Sequence, residues 1–222
     1  PRELSLCNPR RSFCPLCKHQ IAWYDNIPVI SFIVLHAKCR HCGGRINPRY
    51  FLVELLTAVL FLLIWLKFDL AIGPRPLGLV PVTEWTLVPI YWLVISGLIL
   101  ATFVDFEHFI IPDRVTLGGI PAGLLLSALV PSLHGKETAL SGLIWSAFGA
   151  SVGSILLWTV ASLGKFIFKK EAMGLGDVKL LSAIGAFLGW QAVLFTIMIS
   201  ALAGSIVGIT LVVMKRKGMG SR

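Results

Sequence analysis

The sequence predicts an all-α polytopic membrane protein, with about six transmembrane segments behind a small N-terminal zinc-binding module. Three observations carry that expectation. Of the 222 residues, 56% are hydrophobic and 14% charged, and the mean hydropathy is +0.82. A soluble domain could not cover its surface with so little polar material, so the surrounding solvent is lipid. The apolar residues also fall in long runs, near 50–66, 85–104, 115–133, 139–163, 178–190 and 191–214. Residues 1–49, in contrast, are polar and punctuated by Pro and Cys.

The expected organisation is therefore a four-cysteine module (1–49), a transmembrane domain (50–214) and a basic tail (215–222). The run at 178–190 is too short to cross alone and needs a neighbour or a tilted half-helix. Charge supports six crossings. If polar segments alternate between the two sides, seventeen of the twenty Lys and Arg fall on one side and three on the other. That bias assigns the cysteine module, residues 105–114, residues 164–179 and the tail to the cytoplasm. The net charge of +9 thus reads as orientation and attraction to anionic membrane lipid, and nucleic acid is not an expected partner.

Within the module, Cys14-Pro-Leu-Cys17 and Cys39-Arg-His-Cys42 form two C-x2-C hooks separated by twenty-one residues. Two such hooks close a tetrahedral thiolate shell around Zn²⁺, with no position left open, so the metal is structural. The rival reading, a pair of disulfides, needs an oxidising compartment. Cys7 is an extra thiol, and His41 is a weaker candidate ligand.

Two acids stand out. Asp105 follows directly on the run 85–104, where a carboxylate meets the negative end of a helix dipole and sits next to lipid. Asp177 lies in Gly174-Leu-Gly176-Asp177-Val-Lys179, just before the short run. Two glycines there permit backbone angles closed to other residues and leave no Cβ in the way of an approaching chain. Each acid alone has an ordinary explanation: an interfacial charge for Asp105, a helix N-cap for Asp177. Together, on one face of the bilayer, they form a pair that cannot both ionise easily and so shares a proton. That arrangement suits peptide hydrolysis, with one carboxylate activating water and the other polarising the carbonyl.

Other acids read differently. Asp113, after Pro112, is expected to cap the next helix. Glu107 and Glu171 are expected to be solvated. Glu54, one turn inside the first apolar run, is costly in lipid and is a candidate supporting group.

These motifs, in this order, resemble the bacterial type IV prepilin peptidases. The resemblance rests on the two cysteine hooks, on Ile46-Asn-Pro-Arg-Tyr50 with Val53-Glu54-Leu-Leu-Thr57, on Asp105-Phe-Glu-His-Phe-Ile-Ile-Pro112-Asp113, and on Glu171-Ala-Met-Gly174-Leu-Gly176-Asp177-Val-Lys179. It implies a GxGD-type aspartyl endopeptidase of the bacterial inner membrane. Such an enzyme removes the leader from type IV prepilins or pseudopilins after a Gly at the cytoplasmic boundary, then N-methylates the new N-terminus with S-adenosylmethionine. By motif, the catalytic pair is Asp105 and Asp177. Gly174 and Gly176 are expected to let an extended substrate backbone pass close to Asp177, with Lys179 and Glu54 as further residues of substrate access. The resemblance also implies a further helix at either end, so the chain is expected to be a fragment. The methyltransferase activity rests on the resemblance alone, because the sequence carries no Gly-rich nucleotide fingerprint. Two other readings remain open: a membrane methyltransferase with structural aspartates, and a zinc-containing transporter or assembly scaffold.

Overall fold

A computed structural model describes residues 12–27, 29–72, 85–169 and 174–219. Cys7, Glu171 and the last residues of the basic tail lie outside the described residues. Among these residues the chain is helical, with no strand beyond two isolated bridges. It divides into two compact units, Pro1–Gly73 and Pro74–Arg222.

The first unit holds the cysteine module, a 3-10 helix at Trp23–Asn26, helix α1 (Ile30–Val34) and helix α2 (Pro48–Ile72). In the module, local hydrogen bonding builds the same loop twice. Lys18 N–H bonds Cys14 O at 2.8 Å, and Gly43 N–H bonds Cys39 O at 2.9 Å. In each hook the residue after the second cysteine is left-handed, with φ of 58° at Lys18 and 67° at Gly43. Antiparallel bridges, Phe13 with Gln20 and Lys38 with Arg45, close each loop. Arg40 then clamps Asp25 through two bonds of 2.8 and 2.7 Å.

The second unit comprises α3 (Leu87–His108), α4 (Asp113–Leu129), a 3-10 helix at Pro131–His134, α5 (Ala139–Phe168) and α6 (Leu175–Met219). Thr138 caps α5, its hydroxyl accepting from Ser141 N–H at 3.3 Å. Helices α4, α5 and α6 pack on one another, and α3 packs on α4. Close approach of helices in lipid needs small residues. Gly149 of α5 and Gly185 of α6 face each other so tightly that a Cβ on either would collide with the other's backbone. Gly153 against Leu181 and Gly123 against Ala186 repeat the arrangement.

Among the described residues, four helices are long and apolar enough to cross a membrane: Pro48–Phe68, Leu87–His108, Ala139–Ile167 and Leu175–Val212. The count of six expected from the sequence is therefore approximate, for two reasons. The third expected run, 115–133, gives a helix of 17 residues that stops at Leu129 before Pro131. The last two runs form one helical element, broken at Gly189 by φ 80° and ψ 173°. The break is sharp. Val193 and Ile197 beyond it share an apolar cluster with Leu181 and Val178 before it, and with Leu157 of α5. A straight α6 would carry Val193 about 18 Å past Leu181, so the second arm folds back on the first.

Breaking a helix orphans a carbonyl. Here it is Ala186 O, and side chains supply it. Ser146 Oγ donates at 2.7 Å and Ser127 Oγ lies at 3.5 Å, both residues fully buried. His134 Nε2 stands 3.2 Å from the same oxygen and 3.0 Å from Ser127 Oγ. Burial pushes the His134 imidazole below its ordinary pKa, against the carbonyl's opposing pull, and nearby Lys136 pushes the same way as burial.

Candidate active site

Asp105 lies in the last turn of α3 and is exposed. The helix runs one turn beyond the expected end, to His108, and closes where Phe109 turns left-handed (φ 53°) and donates to Asp105 O at 2.8 Å. Asp177 is the third residue of α6 and half-buried. It therefore sits past the N-cap position rather than at it.

The turn from α3 into α4 puts the end of α3 beside the start of α4. The contacts of α4 with α6 then run in parallel register: Gly119 meets Ala183, and Gly123 meets Ala186. Hence the C-terminus of α3 and the N-termini of α4 and α6 share one end of the unit. Two contacts join the sequence motifs there. Gly176 rests against Ile111, about where a Cβ would make ordinary contact at 3.5 Å. Lys179 Nζ pairs with Asp113 Oδ1 at 2.7 Å. At this end Asp177 lies within electrostatic range of Asp105.

Several expectations change in detail. Neither Gly174 nor Gly176 has a positive φ among the described residues, so these glycines contribute space, not special backbone angles. Gly174 is exposed with open room around its Cα. Pro112 holds the N-cap position of α4 without a side-chain bond. Asp113 is thus one residue inside, and its carboxylate serves Lys179 instead of the helix end. Glu107 is exposed beside His108 at 3.9 Å. Glu54 is exposed on α2, in the first unit.

A cavity of about 330 Å³ opens among α3, α4 and α6. Leu93, Gly97 and Leu100 line it from α3, Val115 from α4, and Leu180 and Ile184 from α6. It is apolar, and its lining begins within two turns of both aspartates at their shared end. A cavity of this kind has room for an apolar segment.

In the first unit, Cys14, Cys17, Cys39 and Cys42 bring their four Sγ atoms within 4.8 Å of one another. Cys14 Sγ and Cys42 Sγ are 3.9 Å apart. Zn–S bonds of about 2.3 Å at tetrahedral angles place sulfurs about 3.8 Å apart, so the four thiols fit that ion. Backbone N–H groups of Cys17 and Leu16 hold the Cys14 thiol down to about 7. Against the Gly44 backbone N–H, burial and the three neighbouring thiols push Cys42 up to about 11, so the fit to a metal rests on the sulfur geometry. All four cysteines are free of disulfides.

Comparison with known proteins agrees with this division. Residues 1–68 match the bacterial peptidase A24 N-terminal domain, and residues 92–209 match the type IV leader peptidase family. The chain belongs to the type IV leader peptidase family. It is 37% identical to a prepilin leader peptidase/N-methyltransferase of Myxococcus xanthus over 94% of this chain and 56% of the relative. A protein of the same description from Aeromonas hydrophila is 37% identical over 92% of this chain and 63% of its own. One from Klebsiella pneumoniae is 36% identical over 90% and 78%. The chain thus spans about six-tenths of the length of the first two of these leader peptidase relatives. No solved structure matches it.

The Lys179–Asp113 pair had no signal in the sequence, because its partners are 66 residues apart. The same holds for the group of Ser127, His134 and Ser146, whose shared purpose exists only once α6 breaks.

Proposed function

We propose that this leader peptidase chain is a membrane aspartyl endopeptidase that cuts the leader from prepilins or pseudopilins after Gly, at the cytoplasmic boundary of the bacterial inner membrane. Asp105 and Asp177 are its catalytic pair. The observation that carries the reading is their common end of the unit, above an apolar cavity between α3, α4 and α6. The substrate's apolar stem would lie in that cavity and its basic leader in water.

Of two neighbouring carboxylates, one holds a proton and the other is ionised. The ionised group takes a proton from water as that water attacks the scissile carbonyl. The protonated group donates to the carbonyl oxygen, and collapse of the tetrahedral intermediate passes a proton to the leaving amine. Gly174 leaves open room for an extended backbone beside Asp177. Lys179 is tied to Asp113 and fixes the start of α6.

Zinc in the four-thiolate cluster is structural in this reading, because four sulfurs leave no position for substrate. The N-methyl transfer belongs to the same proposal for the longer protein, with S-adenosylmethionine as donor. The cavity beside the aspartates is lined almost wholly by apolar side chains and does not fit an adenosine and a sulfonium, so the methyl transfer belongs elsewhere in the protein. One experiment separates hydrolysis from methylation. The reconstituted protein is incubated with a precursor peptide and no methyl donor, and the products are weighed by mass spectrometry. A product shortened after Gly is expected; an intact precursor would leave the membrane methyltransferase as the better reading.

A further inference from the structure

The cysteine module carries an apolar surface that its metal cluster does not use. Helix α1 is Ile30-Ser-Phe-Ile-Val34, and Ile30, Ile33 and Val34 are each about 60% exposed. Their spacing, i, i+3 and i+4, places them on one side of the helix. Phe32, on the opposite side, stacks on Phe51 with ring centroids 4.7 Å apart. Trp23, in the 3-10 helix that packs on α1, is 80% exposed. A water-soluble module this small does not leave a Trp and three aliphatic side chains together in water without an occupant for them.

Three observations identify the occupant. First, Phe51 is the fourth residue of the span Pro48–Phe68, so the stack holds α1 beside the first turn of a helix that enters the bilayer. Second, between residues 12 and 49 the module has five basic residues, Lys18, Lys38, Arg40, Arg45 and Arg49, against Asp25 as its single acid. The dianionic charge of a zinc–tetrathiolate group leaves it cationic. Third, Trp beside Lys and Arg next to an apolar helical face is the composition that settles in the headgroup region.

We propose that the module lies on the same membrane that α2 crosses, with Ile30, Ile33 and Val34 inserted at the interface and Trp23 flanking them. Anionic phospholipid is the ligand, attracted by the basic residues and held by the apolar face. The module is thereby kept at the bilayer surface instead of swinging freely on α2.

The test uses the whole chain in vesicles, with a photoreactive p-benzoyl-phenylalanine at Ile33 and, in a second variant, at Ile30. Zinc content reports that each variant's module is folded, and the variant that retains zinc is the one read. In vesicles of phosphatidylglycerol and phosphatidylethanolamine, irradiation is expected to add the mass of a phospholipid to the module. The yield should fall several-fold in pure phosphatidylcholine. A cross-link to protein, from this chain or another copy, would overturn the proposal, and so would absence of any adduct from a zinc-loaded variant.

Discussion

Lys179 Nζ stands 2.7 Å from Asp113 Oδ1, joining the first turn of α6 to the first residue of α4 across 66 positions of sequence. Asp177 sits on α6 itself, and Asp105 ends α3, the helix whose turn leads into α4. Breaking it therefore loosens the site without touching the reacting groups.

Lys179→Ala and Asp113→Ala should each lower the cleavage rate by a similar factor, and the double variant should be little worse than either. The partners are partly exposed, so the coupling in a double-mutant cycle should be about 0.5–1 kcal/mol. Full additivity would mean that the two side chains act separately.

Asp105→Asn and Asp177→Asn should each abolish leader removal while leaving the thermal unfolding temperature in detergent near that of the parent. Asn keeps the shape but neither ionises nor supplies an acidic proton. Normal processing by either variant would take that residue out of the chemistry.

Cys14→Ser with Cys39→Ser should eliminate bound zinc, read by metal analysis, and leave peptide cleavage by the second unit unchanged. Loss of cleavage with zinc would tie the metal cluster to the hydrolytic site.

Acid should weaken the break in α6. His134 is half-buried, and its folded pKa lies below the ordinary value of about 6.5. Its contribution is present above that value, where native and unfolded chains both carry neutral imidazole. It is lost as the pH falls through the folded pKa, because only the unfolded chain takes up the proton at first. Melting temperatures between pH 7.5 and 5 should fall with a steeper slope for the parent than for His134→Gln. Equal slopes would remove His134 from the response.

Gly149→Leu should force α5 and α6 apart at Gly185 and cost about 1–3 kcal/mol or more, as overpacking of close contacts does. A detergent melting curve measures it.

Much of this was legible before the fold. The cysteine spacing announced the thiolate cluster, since two C-x2-C hooks form by local hydrogen bonding alone. The apolar runs announced the helices, because lipid demands long uninterrupted stretches. Asp105 and Asp177 were visible as acids at the ends of such runs. What escaped the sequence depends on how distant segments meet. Asp113 read as a cap because its neighbours, Pro112 and an apolar run, carry that local pattern, while its partner Lys179 lies on another helix. Ser127, His134 and Ser146 read as nothing in particular. Only the turn at Gly189 leaves an oxygen for them to serve.

That turn also fixes a length. Residues 175–188 before Gly189 rise about 21 Å at 1.5 Å per residue, against a hydrocarbon layer about 30 Å thick. A peg that short cannot reach from one headgroup layer to the other. The lipids bordering it must compress, or one of its two ends, at Asp177 or at Gly189, must sit beneath the surrounding surface. On the proposed function, a dimple on the Asp177 side would let water reach a peptide bond that stays within the membrane.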